Sequence, residues 1–310
     1  MVLHDQDLPG EKVGAALETK ELLKKVRKIE IKTRGLSRNI FAGEYHSAFK
    51  GRGMSFSEVR EYQYGDDIRN IDWNVTARFN HPYIKIYEEE RELTVMLLVD
   101  VSQSRVFGTH GQLKKNLITE IAAVLSFSAI QNNDKIGVIL FSGKIEKFIP
   151  PKKGRKHILR IIRELIEFSP DDPTTNISEA LKYLTNAIKK RCTAFVISDF
   201  YDQDPEDYSL NYEEALRIAN NKHDVIGLQV WDRREKELPT VGLVKMQDAE
   251  TGEYVWVDTS SRKIRRAYHQ WWENTNQNIR TTFSQAGVDY ASFATGEDYV
   301  KPLISLFKRR

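Results

Sequence analysis

The pattern of apolar positions divides the chain near residue 93. Beyond it, short apolar runs alternate with segments of helical spacing. The runs Leu93–Val99, Lys135–Phe141, Ile145–Ile149, Thr193–Ser198, Asp224–Val230 and Val288–Phe293 predict strands. Between them, Leu113–Ile130 sets Leu113, Leu117, Ile121 and Leu125 on one stripe. Lys156–Phe168 repeats that spacing with Ile158, Ile161, Ile162 and Leu165, and Ile177–Lys190 with Ile177, Ala180, Leu181, Leu184 and Ile188. Tyr212–Asn220, Arg262–Gln285 and Asp298–Lys308 complete the expected helices. Strands alternating with helices of this length predict an α/β fold with a mostly parallel sheet. One irregularity interrupts it. Val241–Gln247 and Glu253–Asp258 flank the polar turn Asp248–Gly252, which predicts a β-hairpin inserted at about 239–259.

Upstream the style differs. Residues 1–17 read as a loose tail. Glu18–Arg34 has helical spacing, with Leu22, Leu23, Val26 and Ile29 separated by lysines. Residues 35–92 are rich in Gly, Arg, Asp and aromatics without helical periodicity, so short strands and ordered loops are expected. Glu88, Glu89, Glu90 and Arg91 read as the polar edge of the strand that enters the core. The expected organisation is an N-terminal segment, 18–92, packed on an α/β domain, 93–310. No repeat or low-complexity stretch is present.

Composition narrows the classes. The 47 Lys and Arg residues nearly balance 44 Asp and Glu, so net charge gives no case for nucleic acid or a membrane surface. Lys144–Arg163 and Arg262–Arg266 are locally basic and Asp202–Glu214 is acidic, which reads as solvated faces. No nucleic-acid reading motif accompanies the basic stretches. A single cysteine, Cys192, rules out an intrachain disulfide and fits a reducing compartment. Its place at the start of an apolar strand suits a small buried hydrophobe. No apolar run approaches the ~20 residues of a membrane span, and acids stand where a signal peptide carries basic residues. A cytoplasmic protein is expected. Gly51–Gly53 lacks the third glycine of a dinucleotide fingerprint, and no Cys/His zinc set exists.

The chemistry-bearing stretch is Leu93–Ser104, LTVMLLVDVSQS. A strand ends in Asp100, and Ser102 and Ser104 follow at alternate positions. Such oxygen ligands suit a small hard cation, Mg²⁺ or Mn²⁺. In a doubly wound sheet, ligands bind beyond the strands' carboxyl ends where strand order reverses. Asp199 closes the later strand AFVIS. Neighbouring strands lie about 4.8 Å apart, so adjacent strands would bring both carboxylates to one edge. Thr175, in the loop DDPTTNISEAL, supplies a third hydroxyl. Two carboxylates neutralise a dication, and the hydroxyls leave room for an anionic oxygen from outside. No His or Lys close in sequence serves as a general base. The plainer reading is that these residues cap loops and turns, with Asn176 and Glu179 forming a cap that includes Thr175.

These residues resemble a von Willebrand factor A domain with its metal-ion-dependent adhesion site: DVSQS, the Thr175 loop and ISDF match its three motif segments in order. The resemblance implies a doubly wound, mostly parallel six-stranded sheet with helices on both faces, and the metal ligands Asp100, Ser102, Ser104, Thr175 and Asp199. Arg105 departs from it, standing where a small or apolar residue is common. The stretch from Gly51 to Glu92, with GDDIRNIDW and the trailing EER, resembles the signature of the bacterial "domain of unknown function 58" family. That resemblance implies a partnership with a MoxR-type AAA+ ATPase or its client.

Within the signature, Asp66, Asp67, Arg69, Asp72 and Arg78 crowd around Trp73 and Tyr62. Arginine forks on carboxylates predict a hydrogen-bond network, serving either as interdomain glue or as a partner-docking face. For the chain as a whole, the leading expectation is a non-enzymatic, metal-dependent interaction module. The alternative is a Mg²⁺-dependent hydrolase or phosphatase using Asp100 and Asp199. Against that alternative, Ser102 stands where a D-x-D motif would place its second carboxylate.

Overall fold

The computed structural model describes residues 24, 26–33, 54–89, 93–106, 113–204, 209–247 and 254–310. The expected tail and about half of the helix expected at Glu18–Arg34 lie outside them. Residues 26–33 are helical (α1), and Val26 is buried in the core on one face of the main sheet.

Residues 54–89 form a small lobe. Strand β1 (Met54–Glu61) pairs antiparallel with β2 (Tyr83–Glu89). Helix α2 (Trp73–Phe79) sits between them in sequence. The expectation of strands and loops alone is corrected here. The helix has no buried residue, so it leaves no apolar stripe in the sequence; a cap specifies it instead. Asp72 accepts hydrogen bonds from Asn74 N and Val75 N at the helix start, and Asn80 closes it in the left-handed conformation. A second correction concerns Glu88 and Glu89. They pair with Ser55 and Met54 of β1 rather than edging the strand that enters the core.

The main sheet is built from β3 (Thr94–Asp100), β4 (Lys135–Phe141), β5 (Ile145–Lys152), β6 (Thr193–Ser198), β7 (Asp224–Trp231) and β10 (Asp289–Ala294). Their order is β10-β7-β6-β3-β4-β5. All neighbours are parallel except β4 and β5. This is the doubly wound, mostly parallel six-stranded sheet that the resemblance implies. The chain runs from β3 outward through β4 to β5, then returns to the other side of β3 as β6. The order therefore reverses between β3 and β6. At the outer edge, β5 carries Pro150 and Pro151, and its register against β4 shifts between Ile136 and Val138.

Helices cover both faces. Helices α3 (Lys114–Gln131), α4 (Arg155–Glu167) and α9 (Val300–Lys308) pack on one side against Val95, Leu97 and Val99. Helices α5 (Ile177–Ala187), α6 (Glu213–Lys222) and part of α8 (Arg262–Gln285) pack on the other against Met96 and Leu98. Each such buried aliphatic side chain is worth about 1.5–3 kcal/mol of transfer free energy. The single stripe expected on α3 is too narrow. Its burial runs almost all round, from Lys114 through Ala129. After β7 come a four-residue helix, α7 (Arg233–Lys236), and the expected hairpin, β8 (Leu243–Gln247) with β9 (Tyr254–Asp258).

Candidate metal centre

Strands β3 and β6 lie side by side, Val99 opposite Ile197, so Asp100 and Asp199 leave the same edge of the sheet at the point of reversal. Both are buried. The backbone turns sharply after β3, where Ser102 N donates to Asp100 Oδ1 at 2.9 Å. Ser198, the last residue of β6, donates its hydroxyl to Asp100 Oδ2 at 2.6 Å. Ser102 Oγ and Ser104 Oγ stand 3.2 Å apart, and Ser104 Oγ donates to Asp199 Oδ2 at 2.8 Å. Four of the five expected ligands thus form one hydrogen-bonded cluster.

The fifth comes from the loop before α5. That loop is held to the serine loop by Gln103 N, which donates to Pro173 O at 3.1 Å. Asn176 caps α5 by accepting from Glu179 N at 2.9 Å, but Thr175 takes no part in that cap. Its hydroxyl is buried and has no hydrogen-bond partner. A buried hydroxyl left in that condition costs free energy unless a partner arrives. Gly143 lets this loop close, because a Cβ there would run into Thr174 Oγ1 and Asp172.

Electrostatics mark the cluster too. Burial, then repulsion by Asp199, push the Asp100 carboxyl up to about 6. Burial also pushes Asp199 up, but the charge and hydrogen bond of Lys114, with the bond from Ser104, outweigh it and hold Asp199 below the usual carboxylate range. The all-oxygen donor set, two carboxylates that repel each other, and the unpartnered Thr175 hydroxyl fit a small hard dication. Among the described residues no group of three or more His, Cys, Asp or Glu side chains is placed to hold a metal ion, so the hydroxyls are essential to that fit.

Three charged residues here escaped sequence reasoning or were underrated by it. Lys114 is fully buried at the start of α3. Its Nζ donates to Asp199 Oδ2 at 2.8 Å and to Glu235 Oε1 at 2.5 Å. The sequence offers no lysine beside the carboxylates as a general base; Lys114 reaches Asp199 from another element, 85 residues away in the chain. In the first turn of a helix a lysine opposes the helix dipole, and Lys115 beside it does the same, so the sequence does not single out Lys114. Burial lowers its proton affinity, but Asp199 and Glu235 outweigh that and hold the ammonium firmly charged. Glu235 lies in α7, whose capping box with Asp232 points its other oxygen at Asp232 N, 2.9 Å away. Burial pushes the Glu235 carboxyl up. Arg105 is buried as well, donates to the Phe168 carbonyl, and is pulled down to about 10 by burial, with Asp100 acting against that.

The signature residues lie elsewhere, in the lobe. Asp66 receives a two-pronged bond from Arg60 at 2.8 and 2.9 Å and another from Gln63 N. Asp67 pairs with Arg69 at 2.7 Å, and that pairing lowers its carboxyl to about 2. Asp72 caps α2 and faces Lys85 at 3.5 Å. Trp73 is 71% exposed, and Arg78 is exposed in the last turn of α2.

Comparison with known proteins adds relatives. The chain is 32% identical over 248 residues to the uncharacterized protein Mb1516 of Mycobacterium bovis, covering 79% of this chain and 74% of that protein. It is 27% identical over 109 residues to the uncharacterized protein YeaD of Bacillus subtilis, covering 35% and 25%. Among solved structures, BatB of Bacteroides thetaiotaomicron, a conserved hypothetical protein, aligns with TM-score 0.47 at 18% identity, over 70% of this chain and 98% of that one. The SpRpn10 VWA domain aligns with TM-score 0.38 at 12% identity, over 71% and 95%. No helix among the described residues is long and apolar enough to cross a membrane. The family described as "Protein of unknown function DUF58" matches residues 58–278, and the chain belongs to that family.

Proposed function

We propose that this protein is a non-enzymatic interaction module that docks an acidic residue of a protein partner through a bound Mg²⁺ or Mn²⁺. The observation that carries the reading is the buried Thr175 hydroxyl without a partner, beside a cluster of two carboxylates and two serine hydroxyls at the strand-order reversal. Asp100, Ser102, Ser104, Thr175 and Asp199 are the residues that would hold the ion. The bound dication would supply a Lewis-acidic position for an incoming carboxylate. The protein's own part is to exclude water from the carboxylates, fix the serines through the turn at Ser102, and keep the Thr175 loop closed over Gly143. The partner in this reading is a MoxR-type AAA+ ATPase or a client that it remodels, the association that the family signature implies.

A binding titration tests it. Wild-type protein should bind the cognate ATPase or its client in Mg²⁺ and lose that binding in EDTA. Asp100→Ala combined with Ser102→Ala should bind weakly in both. Equal binding by wild type and variant, with or without EDTA, would remove the claim.

A further inference from the structure

The cluster at the sheet edge already contains a cation of its own, and nothing in the docking reading uses it. Lys114 Nζ sits on Asp199 Oδ2, the same oxygen that accepts from Ser104 Oγ. A dication that takes Ser104 and Asp199 as ligands needs that neighbourhood. An ammonium and a dication a few ångströms apart repel strongly where water is excluded. Both therefore cannot occupy the Asp199 position at once. Glu235 Oε1, 2.5 Å from the same ammonium, offers Lys114 a second place to rest.

We infer that Lys114 is an internal competitor for the metal position, and that Glu235 is the acceptor that lets it yield. The inference rests on the metal-docking reading above. In the metal-free protein Lys114 bridges Asp199 and Glu235. When a dication binds, Lys114 releases Asp199 and stays on Glu235. The charges match this division. Asp100, Asp199 and Glu235 against Lys114 leave two negative charges when all are ionised, which is what a dication neutralises. Arg105, the other buried cation nearby, is turned to the Phe168 carbonyl.

The arrangement also ties metal binding to a second segment of the chain. Glu235 belongs to α7, four residues long and anchored by its capping box to Asp232 at the end of β7. Shifting Lys114 from a bridge to a single partner loads α7 differently.

Two substitutions have opposite expected effects, which a merely structural role would not give. Lys114→Met removes the competitor, so Mn²⁺ affinity, measured by electron paramagnetic resonance or calorimetry on the full chain, should rise about tenfold or more, within the usual range of coupling between sites. Glu235→Gln keeps an acceptor but removes its charge, which leaves Asp199 as the only carboxylate on Lys114, so Mn²⁺ affinity should fall by about the same factor. If Lys114→Met does not fold without metal, Glu235→Gln carries the test by itself. Equal Mn²⁺ affinity in wild type and in the folded variants would overturn the competitor and leave the metal-docking reading standing. No Mn²⁺ binding by wild type or by any folded variant would overturn both.

Discussion

Two parts of this molecule are dense in paired charge, and they are built by opposite rules. In the lobe of residues 54–89 the pairs are close in sequence: Arg60 with Asp66, Asp67 with Arg69, Asp72 with Lys85. At the edge of the main sheet they are distant: Lys114 with Asp199 and with Glu235. The Asp67–Arg69 pair stands in water and the other two are partly exposed, where an ion pair gains little. The sheet-edge pairs are buried, where an unpaired charge is costly. Density of charge in a sequence thus says little about its role. Burial and sequence separation divide a solvated network from a poised site.

The sharpest way to break this contrast is to delete one cation from each region. Lys114→Met leaves Asp199 and Glu235 buried without their ammonium, and in the absence of divalent ions it should cost about 3 kcal/mol or more of stability in urea unfolding. Added Mg²⁺ should restore much of that loss. A midpoint unchanged in EDTA would show that the buried cluster is no more demanding than the lobe. A smaller effect is expected from Gly143→Ala, which touches no charged pair. The new methyl should push the Thr174–Thr175 loop away and cost about 1–3 kcal/mol, the usual range for overpacking, together with a fall in Mn²⁺ affinity. Unaltered affinity would detach Thr175 from the site. The smallest effect belongs to Arg60→Met. It should leave the urea midpoint of the sheet unchanged and quicken hydrogen exchange only at Gln63 N and its neighbours, since Asp66 holds that amide. A global loss of stability would mean the lobe and sheet fold as one unit.

The same contrast explains what the sequence made legible. The strands were plain because β3, β4 and β6 are near-continuous apolar runs. The sheet edge was legible through Asp100, Ser102 and Ser104, which lie within one short motif. Lys114 was hidden because its partners are 85 and 121 residues away and, among lysines, only burial sets it apart. Glu235 was hidden for another reason: in sequence it is an ordinary capping-box acid. Helix α2 escaped because all seven of its residues stay unburied, so periodicity had nothing to register. Its cap, Asp72, was singled out for charge rather than for the backbone amides it accepts from.

One feature of the sheet bears on how the molecule behaves in a crowd. At one of the two edges of the sheet, β5 runs against the direction of its neighbour and carries two adjacent prolines. Proline has no amide hydrogen, so Pro150 and Pro151 interrupt the row of donors that a strand from another copy would need. That border offers a poor seed for end-to-end polymers, and chains concentrated beside one another can keep their sheets from fusing there.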